Sequence, residues 1–331
     1  MDTIFPDEIF LKIFRYIPRL DLFRGFYNLK SRLNRIIGEV RVYIRSELNE
    51  EEKRYILPYV RPEQIRSFSV NEEKYEYAKL YQCINIRDLT FHSGSKYNVY
   101  TYNHPQLIHV QPSIFPHLKQ LTIYVQSWTH VYQKLCTMIF GNKFPAMESV
   151  SLPYANGSCI SGIKIWSPNL QYVDIQCCNK SMFYPLLDNL PNLKRFNCGL
   201  GTNNSGSLKN RNLPLEQLNV DTYDRSSASY CGSMMSLGEL LDVYQCMPNL
   251  ERTIIFIYDG SPLGRIMDQF NRVLSNCPKL KTFECHIESF GEMESSESAD
   301  EIKKRYYLFQ DSCVFACKTQ RGYLRGIKMS R

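Results

Sequence analysis

The sequence predicts an α/β chain: a short helical segment at the N-terminus, followed by an irregular solenoid whose parallel strands line a concave sheet. Three observations predict it. A Pro-x-Leu-x-x-apolar-x-apolar pattern recurs along the chain. Stretches with helical spacing of apolar residues lie between its copies. The first 37 residues carry two or three short amphipathic helices.

The N-terminal helices are read from Phe5-Pro6-Asp7-Glu8-Ile9-Phe10-Leu11-Lys12-Ile13-Phe14-Arg15-Tyr16-Ile17. Pro6 suits a helix start because no N–H is needed there. Asp7 and Glu8 follow, where carboxylates face the positive helix end. Ile9, Ile13 and Ile17 recur every four residues beside Phe10 and Phe14, giving one apolar stripe. Pro18 stops this helix. Arg19-Leu20-Asp21-Leu22-Phe23 starts another, and Leu29, Leu33, Ile36 and Ile37 extend the apolar face. So small a unit exposes more apolar side chain than it can bury within itself, and the excess needs a covering surface, either in the rest of the chain or on another protein. Residues 41–60 read as a helical connector containing Tyr43, Ile44 and Leu48.

The solenoid is read from repeated units. Copies occupy residues 115–123, 144–152, 167–175, 190–198, 213–220, 247–251 and 277–285, and Pro145, Pro168, Pro191 and Pro214 fall 23 residues apart. Proline closes the preceding segment and needs no ladder N–H. Leu118 then tucks inward, and Leu121 and Ile123 alternate inward along a strand. Residues 64–70 and 86–91 read as earlier, irregular strands, and Leu107-Ile108-His109-Val110 as another. Helical stripes lie between: Trp128, Val131, Tyr132, Leu135 and Ile139; Met234, Leu237, Leu240, Leu241 and Tyr244; Ile266, Phe270, Val273 and Leu274. Stacked strand–turn–helix units put a parallel sheet on one side and helices on the other. Residues 199–207 and 223–232 read as loops by composition. Residues 306–309 and 313–318 read as final strands capping the open sheet, and Glu292–Ser298 as a solvated acidic patch with Ser295, Ser296 and Ser298 as possible phosphoacceptors.

Composition bounds the function. A chain of 331 residues with 44% apolar and 22% charged residues can build a core and does not read as disordered. No apolar run approaches the roughly 20 residues that span a bilayer, so no membrane partner is expected. The twelve scattered cysteines predict thiols in a reducing compartment, cytoplasmic or nuclear. The net charge of +7 is spread rather than banded, with a basic C-terminus, and no nucleic-acid partner is expected. Nucleotide loops, His-Glu-x-x-His and Gly-x-Ser-x-Gly are missing, and the histidines and cysteines lack ligand spacing. No catalytic residue, metal or cofactor is therefore expected.

The N-terminal motif resembles the F-box. Phe5-Pro6-Asp7-Glu8-Ile9, Ile13-Phe14, Tyr16-Ile17, Asp21-Leu22 and Leu29-x-x-Arg32-Leu33 carry the likeness over residues 1–40. Phe5 and Ile17 stand where that family usually has Leu, and the Trp often found after the arginine is missing. The repeats in residues 61–331 look like a degenerate leucine-rich repeat. Leu170-x-x-Val173-x-Ile175-x-x-Cys178 is the fullest copy, and Leu118-x-x-Leu121-x-Ile123 has Gln126 in place of the final Asn or Cys. Cys178 then reads as a buried turn residue rather than a nucleophile.

The resemblance implies a non-catalytic, substrate-recruiting subunit of an SCF-type cullin–RING ubiquitin ligase. Pro6, Ile9, Ile13, Phe14, Ile17 and Leu22 would lie at or near the face that meets a Skp1-type adaptor. Transfer chemistry would belong to the ubiquitin-conjugating enzyme and the RING partner, this subunit supplying proximity. The substrate would be a protein, met by outward strand residues Lys119, Thr122, Gln171, Asp174, Lys194, Asn197, Gln217 and Asn219, with Glu148 and Ser151 beside them. Loops 93–102 and 203–207 form a rival surface, and Tyr97, Tyr100, Tyr102, Tyr223 and Tyr230 are interface candidates. The alternative is a leucine-rich-repeat interaction scaffold with no ubiquitin ligase association.

Overall fold

The computed structural model describes residues 5–44, 50–56, 58–71, 80–92, 105–124, 129–200, 207–221, 237–258, 263–289, 304, 313–319 and 322–330. The loops 93–102, 203–207 and 223–232, the acidic patch 292–298 and residues 306–309 lie wholly or mainly outside them. The chain divides into two compact units, Met1–Glu148 and Ser149–Arg331.

The first unit opens with helices α1 (Asp7–Phe14), α2 (Arg19–Phe26) and α3 (Ser31–Ile37). Strand β1 (Val42–Ile44), helix α4 (Glu50–Tyr55) and strands β2 (Ile65–Asn71), β3 (Asp88–His92) and β4 (Gln120–Ile123) follow, then helix α5 (His130–Phe140). The strands pair in parallel, each with the next in the chain. Val42–Ile44 is extended where the connector was expected to be helical, because Val42 and Ile44 alternate inward while Tyr43 points out. Leu107–Val110 is not a strand: Pro105–His109 forms a 3-10 turn that buries Leu107 and leaves Ile108 exposed.

The second unit runs β5 (Ser149–Leu152), β6 (Tyr172–Cys178), α6 (Lys180–Asn189), β7 (Arg195–Leu200), β8 (Gln217–Asp221), α7 (Leu237–Tyr244), β9 (Arg252–Tyr258), α8 (Leu263–Leu274) and β10 (Thr282–Ser289). Strands β5 to β10 are parallel neighbours in chain order. The final hairpin, β11 (Cys313–Thr319) and β12 (Gly322–Ser330), closes the edge, with β12 antiparallel to β10. It satisfies ladder groups that an open edge would leave unpaired.

A shared turn explains the repeat. The carbonyl of Gln171 accepts from the backbone N–H groups of Lys194 and Arg195, at 2.9 and 3.0 Å. That of Lys194 accepts from Glu216 and Gln217, that of Glu216 from Glu251 and Arg252, and that of Glu251 from Lys281 and Thr282. Each unit thus seats the start of the next strand. The leucine after each proline fills the space beneath: Leu170, Leu193, Leu215, Leu250 and Leu280 are all buried, as are Leu118 and Met147 in the first unit.

Helices cover the inward strand side. Phe183 of α6 stacks on Phe196 of β7 at 5.5 Å, and Phe270 of α8 meets Phe283 of β10 at 5.1 Å. Tyr244 of α7 hydrogen-bonds Thr253 of β9, whose hydroxyl donates to the Leu218 carbonyl at 2.7 Å. Thr253 occupies an inward position, and these partners satisfy its buried hydroxyl. Gly199 and Leu200, expected to open a loop, instead finish β7.

Candidate functional site

Two surfaces carry the sequence-predicted site residues. The first is the N-terminal helical face. Pro6 precedes α1 in an extended conformation, and Asp7 and Glu8 fill its first turn. Asp7 accepts from Arg32 Nε at 2.8 Å, and Arg35 Nη2 lies at 2.5 Å, so α3 pins the start of α1. These guanidinium groups hold the Asp7 carboxyl below its ordinary pKa, the Arg32 hydrogen bond being the largest cause. Arg32 also donates to the Phe5 carbonyl at 2.7 Å and lies over the Phe10 ring.

That clamp sorts the stripe on α1 into two sides. Phe14 is 2% exposed and packs on Phe26 at 5.4 Å, and Leu22 is 1% exposed. Pro6 is exposed, Ile17 is half-buried, and Ile9 and Ile13 are 41% and 50% exposed. Of the six residues expected at or near the adaptor face, Phe14 and Leu22 therefore lie beneath it rather than on it. Both are committed to the core of the unit, because three short helices need some apolar centre of their own. Phe5, Tyr16 and Leu29, which the sequence reading did not select, are exposed apolar residues of the same segment. The four-residue spacing of Ile9 and Ile13 marked the outward side. No comparable signal separated Phe14 from it.

The second surface is the outward side of the strands in the second unit. Register aligns Tyr172, Arg195, Gln217, Arg252 and Thr282 in one row, and Asp174, Asn197, Asn219, Ile254 and Glu284 in the next. The rows are internally bonded. Ser151 Oγ donates to Asp174 Oδ2 at 3.0 Å, and Asn219 Nδ2 donates to Asn197 Oδ1 at 2.9 Å. Asn219 Oδ1 accepts from the Ile254 N–H at 3.1 Å. Arg195 lies over the Tyr172 ring at 5.3 Å. Further along, His286 stacks on Phe256 at 4.2 Å and its Nε2 meets Glu284 Oε1 at 2.7 Å. Burial raises the Asp174 carboxyl above its ordinary pKa, and the Ser151 hydroxyl offsets part of that rise.

Structure brings Asp174, Asn197, Gln217 and Asn219 together as expected from their alternation. Gln171 and Lys194 lie one step earlier, in the turns that start the strands. Tyr172, Arg195, Arg252, Phe256 and His286 share the face and were missed. The same two-residue alternation that marks Val173 and Ile175 as inward places Tyr172 outward with Asp174. In the first unit Lys119 is half-buried and pairs with Glu148. Thr122 is 7% exposed and so is not offered to a ligand, which corrects its expected role: β4 is buried from Leu121 through Ile123 on both sides.

Cys178 is fully buried at the end of β6, and burial pushes its thiol well above the ordinary range. Among the described residues no group of three or more His, Cys, Asp or Glu side chains could hold a metal ion, and no helix is long and apolar enough to cross a membrane. No protein-family model matches the sequence, and no curated protein matches it.

Proposed function

We propose that this chain is a non-catalytic, substrate-recruiting subunit of an SCF-type cullin–RING ubiquitin ligase. Its N-terminal helices, read as an F-box, dock on a Skp1-type adaptor. The following strand–turn–helix units, read as degenerate leucine-rich repeats, present a protein target. The observation that carries the reading is the exposure of Ile9 and Ile13 on a helix that Asp7, Arg32 and Phe14 fix in place. An apolar stripe held rigid and left outward gains from being covered, since burial of apolar surface yields about 25 cal/mol per Å².

The outward strand face supports target recruitment. It mixes aromatic, amide and charged side chains, a composition suited to a protein surface more than to lipid. The partly buried Asp174 carboxylate costs stability in the free chain, which is a mark of positions kept for recognition. In this reading the cullin complex supplies the chemistry, in the cytoplasm or the nucleus. Co-elution with a purified Skp1-type adaptor on size exclusion tests it: a stoichiometric complex is expected, and separate peaks would favour an interaction scaffold without ligase association.

A further inference from the structure

A cavity of about 630 Å³ in the first unit lies beside the N-terminal helical face and shares Phe14, Ile17 and Leu22 with it. Its lining includes Arg15 after α1, Arg19 in α2, Arg41 before β1 and Arg66 in β2. Leu11, Phe14, Ile17, Leu22 and Val40 form its apolar part, and Glu39 and Glu63 are its two carboxylates. All four cations are arginines, whose planar fork matches oxyanions where lysine offers a point charge.

The arginines outnumber their counter-charges. Arg19 pairs with Glu52 at 3.3 Å. Among the described residues Arg15, Arg41 and Arg66 make no ion pair. Arg66 donates through Nη1 to the Asn85 carbonyl at 3.1 Å, while its Nε is buried with no acceptor, and the Nε of neighbouring Arg87 is in the same condition. Burial, then the charges of Arg41 and Arg87, lower the Arg66 pKa from its ordinary value. Four guanidinium groups against two carboxylates leave an excess of positive charge in the lining, and the buried Nε of Arg66 lacks an acceptor.

We propose that this cavity binds a small soluble phosphate-bearing anion, with Arg15, Arg41 and Arg66 as its principal contacts. A volume of this size falls in the range of small-molecule sites. Guanidinium–phosphate hydrogen bonds are charge-assisted and commonly bidentate.

Calorimetric titration of the full chain with inorganic pyrophosphate, at ionic strength matched with chloride, tests the assignment. It involves no adaptor, so its failure leaves the docking proposal standing. One site is expected. Arg41→Gln and Arg66→Gln should each weaken binding about tenfold, the scale of one charged hydrogen-bonding partner. Arg41 is exposed, so Arg41→Gln tests the site without touching the core. Lys143→Gln, an exposed cation in the turn after α5, should leave binding unchanged. No heat with wild type, or equal binding by all three variants, overturns the site. Sedimentation with vesicles carrying a phosphorylated inositol lipid separates the sources. The protein should stay in the supernatant, and pelleting that requires Arg41 would overturn the soluble assignment.

Discussion

Asp7 and Arg32 join the first and third helices across 25 residues, the carboxylate accepting from Arg32 Nε at 2.8 Å. The contact sets which side of α1 is free. With the helix start tied to α3, Phe14 turns into the unit while Ile9 and Ile13 face out.

The same contact predicts a pH dependence. Asp7 titrates below its ordinary value in the folded chain, so the unfolded chain binds the proton more tightly. Its contribution is present above the ordinary carboxylate pKa and is lost as pH falls through the folded value. Thermal melts of wild type and Asp7→Asn should therefore differ at neutral pH and converge on acidification below the ordinary carboxylate range. A constant gap between them would contradict the clamp.

Asp174 predicts the opposite sign. Its folded pKa is raised by burial, so ionisation works against folding as pH rises from the unfolded value through the folded one. Asp174→Asn should raise the melting midpoint at neutral pH and lose that advantage in acid. If target capture falls in the same variant, the destabilising carboxylate serves recognition.

Leu170 is fully buried under the turn that starts β6. Leu170→Ala should cost about 2–5 kcal/mol, the range for a large-to-small change in a packed site. Chemical denaturation followed by circular dichroism measures it. An unchanged midpoint would mean that the leucine of the repeat does not anchor the turn.

Gly199 sits against its neighbour strand. Register shifts between Ile175 and Cys178, and a Cβ at position 199 would lie 2.1 Å from the Gln176 carbonyl oxygen. That atom is backbone and cannot swing away. Gly199→Ala should destabilise by about 1–3 kcal/mol, typical of overpacking. A neutral effect in the same denaturation assay would show that the strands separate more easily than their pairing suggests.

These particulars show what local pattern can and cannot carry. The Pro-x-Leu turn was legible because each copy must solve one steric problem, seating a strand on the carbonyl of the previous turn. Helices α5, α7 and α8 were legible from their apolar spacing. Helix α6 was hidden by Pro185 at its interior, which removes a backbone donor. Burial of Met182, Phe183, Leu186 and Leu187, with Lys180 gripping both Glu239 oxygens at 2.9 Å, outweighs that loss. The burial of Thr122 and Phe14 was not legible, since it depends on what packs over them rather than on their own alternation. Gln64 was hidden for the same reason: it is buried and donates to the carbonyls of Ile37 and Val40, linking α3 to the start of the sheet.

The most direct measurement is calorimetric binding of a purified Skp1-type adaptor to the wild-type chain and to an Ile9→Asp, Ile13→Asp double variant. Both positions are about half exposed, so the changes leave the core intact, as circular dichroism should confirm. A new carboxylate buried without a partner at an interface is strongly unfavourable. One-to-one binding by wild type and none by the double variant are expected. No binding by wild type, or undiminished binding by the variant, would contradict the docking proposal.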